Sequence, residues 1–249
     1  MSPRVSSSRT AARHRRQFEE RDRRIREAAR TLLLERGLHG FSMEDIAEAI
    51  DYSKGTVYQH YECKEDALVA CCAESGAELA TLFERAAALP GSTRDRMSAL
   101  VEAYTQYVER KAVPVRVMPL VHSPTVLEKA SPARRAAMES SQSRVRGICA
   151  SIVADAVSEG DLAPGPGMDP KTIPFALWAM LVGSFLLTEL HTSEKTFGVT
   201  DPGAAVRTQW AIYMDGLGWK PHGGGRAPRG LARRVRSLLP PSPSAEAGR

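Results

Sequence analysis

Ser42 and Asp45 stand three residues apart between Phe41 and Ile46, and Ser53 follows behind the pair Asp51-Tyr52. A serine at a helix N-cap accepts from the free backbone N–H groups, an acidic residue three positions on reaches back, and a flanking apolar pair staples the incoming chain. These residues therefore specify a helix start at Met43, and Met43, Ile46, Ala47 and Ile50 give that helix one apolar face. Asp51 and Tyr52 make a turn, and Ser53 caps a second helix. In it Val57 and Tyr61, four apart, face inward, leaving Lys54, Gly55, Thr56, Tyr58, Gln59 and His60 outside. Upstream, Ile25, Ala28, Ala29, Leu32 and Leu33 form an amphipathic helix ending at Gly37, the third side of a trihelical core. Downstream, Lys64-Glu65-Asp66 opens a longer helix with acidic groups in its first turn.

Hydroxyls, amides, an ammonium group and a small residue on one short helix suit docking in a DNA major groove, with polar tips on phosphates and base edges. The competing reading is a pair of bundle helices with a polar outer face. The run Ile25, Ala29, Gly37, Ser42, Met43, Ile46, Ala47, Ser53, Lys54, Gly55, Thr56, Tyr58, His60, Tyr61, Lys64 and Leu68 resembles, without a gap, the TetR (tetracycline-repressor-like) family of bacterial transcription regulators. The resemblance covers the first quarter of the chain. It implies that Thr56, Tyr58 and Lys64 hold DNA phosphates and that Lys54, Gly55, Gln59 and His60 lie at or near the groove, with Ser42 and Ser53 in the same DNA-binding set. Three positions depart from the family. Asp51 replaces a turn glycine but tolerates the left-handed region, Cys63 replaces a better helix cap, and Tyr52 replaces a small aliphatic residue. The Tyr52 ring is expected in the trihelical core with its hydroxyl outward, the other placement being on the DNA backbone.

At 249 residues and 43% hydrophobic content the chain has room for two domains of a soluble, mostly helical protein. The arginine-rich start has no apolar signal region, and the longest apolar run, 173–187, reads as too short to span a bilayer, so a cytoplasmic location is expected. Cys63, Cys71, Cys72 and Cys149 match neither a disulfide framework nor a zinc spacing and read as buried free thiols. Charge sits at the ends: residues 1–30 hold ten arginines against four acids, and residues 220–249 hold seven basic residues against one acid. Arg4, Arg9, Arg13, Arg15 and Arg16 are placed to reach phosphates or a minor groove, or else to form a solvated tail. The glycine run 223–225 and the proline-rich run 240–243 read as disordered. No catalytic order, phosphate-binding glycine loop or metal-ligand spacing is present, so no enzyme activity, cofactor or metal is expected.

The expected fold is all-α: a three-helix helix-turn-helix head and a C-terminal helical bundle, about nine helices in all, dimerising through the last two. The domains read as a basic flexible arm (1–17), a DNA-binding domain (18–64), a ligand-binding and dimerisation domain (65–218) and a disordered basic tail (219–249). After residue 64 the punctuation predicts helices over 64–89, 93–111, 132–158, 170–190 and 202–217, with a proline-punctuated stretch at Pro114, Pro119 and Pro124. The helix over 170–190 is apolar nearly all round and needs burial on every face. A dimer through the last two helices would use Trp178, Ala179, Gly183, Leu186, Trp210, Tyr213 and Met214, the alternative being intramolecular core. Tyr104, Tyr107, Met118, His122, Cys149, Phe175 and Trp178 are candidates to line an effector pocket. The helix over 64–89 would belong to both modules and carry the coupling between ligand and DNA. The implied function is a ligand-released repressor that binds a near-palindromic operator as a homodimer. The alternative is a sequence-indifferent DNA-coating protein acting through its basic tails, and the partners are double-stranded DNA, a second copy and an unidentified small effector, with no membrane.

Overall fold

A computed structural model describes residues 5–111, 115, 117–190, 192–221 and 230–239. They form twelve helices and no strand: α1 (Val5–Arg36), α2 (Met43–Ala49), α3 (Lys54–Tyr58), α4 (Lys64–Ala87), α5 (Thr93–Lys111), α6 (Val117–Val121), α7 (Pro124–Lys129), α8 (Pro132–Ser158), α9 (Thr172–Glu189), α10 (Thr192–Phe197), α11 (Pro202–Gly216) and α12 (Leu231–Arg236). The all-helical expectation holds. Arg4, Pro114 and the runs 223–225 and 240–243 lie outside the described residues.

The chain divides into two compact units, one of Met1–Glu74 with Val117–Glu139, the other of Ser75–Arg116 with Ser140–Arg249. In the first, Ile25, Ala29 and Leu33 of α1 meet Ile46 and Ala47 of α2, Val57 of α3 and Leu68 of α4 in one buried cluster. Gly37 ends α1 with φ +71° and donates to Leu33 O at 3.0 Å, the left-handed stop its sequence position predicts. Two features differ from expectation. The segment 1–17, expected as a flexible arm, is helical from Val5 onward as part of α1, with residues 10–20 exposed. The proline-punctuated stretch is not part of the bundle: Val117, Val121, Val126 and Ala130 are buried in the head's cluster. Pro124 opens α7 at a first-turn position, where a missing N–H costs nothing, so proline there starts a helix rather than preventing one.

In the second unit, Phe83 of α4, Leu100 and Tyr104 of α5, Ile152 of α8, Leu177 and Leu181 of α9 and Trp210 of α11 share one buried cluster, with α11 packed on both α9 and α5. Ile173, Leu177, Leu181 and Phe185, spaced by fours, are the buried stripe of α9. By length and composition α9 is apolar enough to cross a membrane, contrary to the shorter run counted in the sequence. The expected disordered tail is also partly built in. Trp219 is fully buried, its indole N–H donating to Thr93 Oγ1 at 3.0 Å and its carbonyl accepting from Arg94 Nη1 at 2.7 Å. Beyond it α12 packs on α5, burying Leu231 and Val235, and the Ala232 carbonyl accepts from Gln106 Nε2 at 2.9 Å.

Candidate nucleic-acid interface

The starts of α2 and α3 are capped by side chains of the head itself. Ser42 Oγ accepts from the Asp45 N–H at 3.2 Å while Asp45 Oδ2 accepts from the Ser42 N–H at 2.7 Å, the reciprocal box the sequence predicts. The Ser42 hydrogen bonds, with help from Arg36, hold the Asp45 carboxyl below its usual range. Asp51 takes φ +55°, and the Tyr52 N–H returns to Ala47 O at 2.9 Å. Tyr52 packs its ring against the core and accepts from Arg24 Nη1 at 3.1 Å, so the first of its two expected placements is the observed one. Ser53 Oγ accepts from the Thr56 N–H at 3.2 Å and lies 2.9 Å from Thr56 Oγ1. The hydroxyls of Ser42, Ser53 and Thr56 are thus engaged within the head.

What remains outward on α3 and its last turn is Lys54, Gly55, Tyr58 and Gln59, all exposed, with Tyr58 at 48%. Lys54 Nζ lies 3.3 Å from a Glu44 carboxylate oxygen, both in solvent, a pairing worth little that a phosphate can replace. A Cβ placed on Gly55 would meet nothing nearer than Ser53 Oγ at 3.9 Å. Nothing within the chain requires glycine there, and the open space next to it is available for a close approach from outside.

His60 and Lys64 are placed otherwise than expected. α3 ends at Tyr58, so His60 does not continue its outer face; its side chain is 1% exposed, stacked on Phe18 at a centroid distance of 4.0 Å, with Nδ1 3.5 Å from Asp22 Oδ1. Burial lowers its pKa below the usual value of 6.5 despite the pull of Asp22. Lys64 Nζ donates to the carbonyls of Leu38 and Phe41, each at 2.6 Å, and lies 4.6 Å from the centre of the Phe41 ring. Two of its three donors therefore hold the loop between α1 and α2, and the side chain acts on the head's shape. The sequence reading also missed Asp22. Its carboxylate accepts from the Tyr61 hydroxyl at 2.6 Å and pairs with Arg26, while Arg134 of α8 stacks over Tyr61 at 4.7 Å and donates to His60 O at 3.3 Å. Only the spacing of Asp22 from Arg26, four residues on one helix, could have signalled it. Cys63 Sγ is 3.6 Å from Lys129 O.

Of the expected effector-pocket residues, Tyr104 and Trp178 meet edge-on at 5.8 Å, and Tyr107 donates to Glu78 Oε2 at 2.9 Å; both tyrosines and Cys149 are buried. Phe175 is 74% exposed and lines nothing, and Met118 and His122 belong to the first unit. Among the expected dimer residues, Trp210 and Met214 are 1% and 2% exposed within the chain itself and are core. Trp178, Gly183, Leu186 and Tyr213 are half-buried and Ala179 is exposed, and beside them Phe175, Leu187 and Ile212 point outward. Burial pushes the thiols of Cys71, Cys72 and Cys149 up to about 12, while Cys63 is raised less. Among the described residues no three His, Cys, Asp or Glu side chains gather as metal ligands.

The sequence pattern of bacterial regulatory proteins of the tetR family matches residues 25–71, the span from the α1 core face through the exposed ridge of α3 into α4. The head of the chain, residues 25–71, thus carries the tetR-family pattern. A curated relative, the HTH-type transcriptional activator FasR of Mycolicibacterium smegmatis, is 27% identical over 100 residues, which are 40% of this chain. Those residues are 46% of FasR, so the chain spans about half the length of the curated relative it matches. A TetR/AcrR-family regulator of Thermobifida fusca is 25% identical with a TM-score of 0.57, covering 79% of this chain and 98% of that one. A transcriptional regulator of Pseudomonas aeruginosa is 23% identical with a TM-score of 0.64, over 84% and 95% of the two chains. The Bacillus subtilis regulator FadR, solved with stearoyl-CoA, shares the fold at 15% identity and a TM-score of 0.62, over 78% and 98%. The head carries a helix-turn-helix, and Lys54, Gly55 and Tyr58 of α3, with Gln59 just past its end, face outward from it.

Proposed function

We propose that this tetR-family regulator binds a near-palindromic operator as a homodimer, reads bases through Gln59 with Tyr58 and Lys54 on phosphates, and is released by a small-molecule effector. The observation that carries the reading is the ridge Lys54, Gly55, Tyr58 and Gln59, exposed on a helix whose caps are satisfied internally, with open space over Gly55. His60 and Lys64 enter this reading as residues that position α3. Paired heads would meet successive major grooves about 34–36 Å or a multiple apart. The apolar residues Phe175, Ala179 and Ile212 supply the surface for a second copy, and the protein works in the cytoplasm.

Of the roles the sequence leaves open to the arginines of α1, phosphate contact is the one a helix suits. A helix about 10 Å across does not enter a minor groove about 6 Å wide, so Arg13, Arg15 and Arg16 would run along the phosphate backbone. Selection of bound DNA from a random pool tests the whole reading. A two-fold-symmetric consensus that changes with Gln59→Ala supports it, and a pool without consensus moves the function to sequence-indifferent coating. FasR is by name an activator, so a reporter fused to the selected operator decides the sign in this chain.

A further inference from the structure

In the second unit, α5, α11 and α12 line an open cleft of about 390 Å³, within the usual range for small-ligand sites. Glu102, Gln106 and Glu109 line it from α5, Arg207 from α11, and Leu231 and Arg236 from α12. Its inner wall is tightly specified. Glu102, with a side chain 5% exposed, accepts from Arg207 Nε at 2.6 Å and Nη2 at 3.3 Å, and from Gln106 Nε2 at 2.5 Å. Gln106 is 5% exposed, and its amide nitrogen is fixed between two acceptors, Glu102 and the Ala232 carbonyl. Exchanging its amide nitrogen and oxygen would set an oxygen against both, so Oε1 is fixed as well, and it has no donor among the described residues. A buried acceptor in this state costs about 1–3 kcal/mol until a donor arrives.

A second acceptor, exposed to solvent, stands at the mouth. The Glu109 carboxylate has no hydrogen bond or ion pair with any described side chain, and a Cβ on Gly203 would lie 2.6 Å from its Oε1. Partial burial raises its pKa, with Asp201 and Glu102 adding to the rise and Arg207 and Arg236 opposing it. Glu102, Glu109 and Asp201 thus set three carboxylates against the two guanidinium groups of Arg207 and Arg236. Because Glu102 and Arg207 neutralise each other, the acceptors left in the lining are Gln106 Oε1 and the Glu109 carboxylate, with Arg236 balancing the charge of Glu109.

We propose that this cleft binds a small organic amine, whose ammonium group donates to Gln106 Oε1 and to the Glu109 carboxylate. The site is independent of the DNA reading proposed above. Titration calorimetry of the full chain with 1,4-diaminobutane, 1,4-butanediol and butyrate tests it. Diaminobutane is expected to saturate one site below about 1 mM, while the diol and the acid give no saturable heat. Glu109→Gln, isosteric but uncharged, is expected to weaken diaminobutane at least about threefold, and Glu194→Gln, an exposed acid on α10, to leave it unchanged. In the wild type, the Gln106 side-chain amide signals are expected to shift with diamine and not with diol, a readout that needs no variant. Absence of saturable diamine binding, equal binding of the diol, an unchanged Gln106 signal, or equal loss in both variants would each overturn the proposal. Selected-DNA affinity measured on the same samples separates failure of this site from failure of the DNA reading.

Discussion

The two units leave opposite kinds of surface uncovered. The head caps its short helices internally and presents a polar ridge, Lys54, Gly55, Tyr58 and Gln59; the bundle turns Trp210 and Met214 into its core and presents apolar Phe175, Leu187 and Ile212. A polar ridge is stable in water and can wait for a partner, whereas an apolar one favours burial against a matching face. The difference teaches that position on a helix, and not residue type, decides what a side chain is for: the last two long helices read as interface from their apolar character, yet the tryptophan of α11 faces inward and its isoleucine faces out.

The largest effect expected is on the core side of that division. Trp210→Ala should cost about 3–5 kcal/mol in denaturant unfolding at every protein concentration. Ile212→Glu and Phe175→Glu should instead yield folded monomers, raising the dimer dissociation constant about a hundredfold in sedimentation. A folded monomer from Trp210→Ala would reverse the assignment of the two faces.

On the head, the comparison is between residues that shape and residues that touch. Lys64→Met should lower stability by about 1–3 kcal/mol, through the orphaned Leu38 and Phe41 carbonyls, and leave the salt dependence of DNA affinity unchanged. Lys54→Ala should keep stability within about 0.5 kcal/mol and shallow that dependence by about one unit. Equal slopes for both variants would erase the distinction. Gly55→Ala should raise helix stability by up to about 1 kcal/mol while weakening operator DNA; tighter DNA binding would show the open space to be idle.

The smallest effect concerns His60. Its folded pKa is depressed, so the unfolded chain takes up a proton first as pH falls through 6.5, and the head loses stability below that pH. Above it both states are neutral and nothing changes. His60→Gln should flatten the decline in stability measured between neutral and mildly acidic pH, and an unaltered profile would assign the decline to other groups.

Much of this was legible. Thr93–Lys111 and Pro132–Ser158 end where their caps and prolines predict, and the Ser42–Asp45 box and left-handed Asp51 were readable from residue type. His60 was not, because α3 lasts only from Lys54 to Tyr58 and a 3.6-residue period extended past its end points the wrong way. The helical start of α1 was hidden by lacking an apolar stripe; Arg23 pairs with Glu20 at 2.7 Å and with Glu27 at 2.8 Å, helix-compatible spacings that weigh little against a run of charge. In α12 two apolar residues, Leu231 and Val235, are all that marks a docked helix among arginines.

Gly203 carries a consequence for descent as well as for packing. A methyl there would press on Glu109 Oε1 and also on Thr105 Cγ2, at 2.7 Å, while Thr105 is held by its hydroxyl bond to Val101 O at 2.9 Å and cannot turn away. Positions 105 and 203 are therefore tied in sequence space: a relative with a larger residue at the glycine must shorten its partner at 105, while the exposed Glu109 side chain can swing aside. Covariation of these two columns would sort the tetR family into chains that keep this cleft and chains that have filled it.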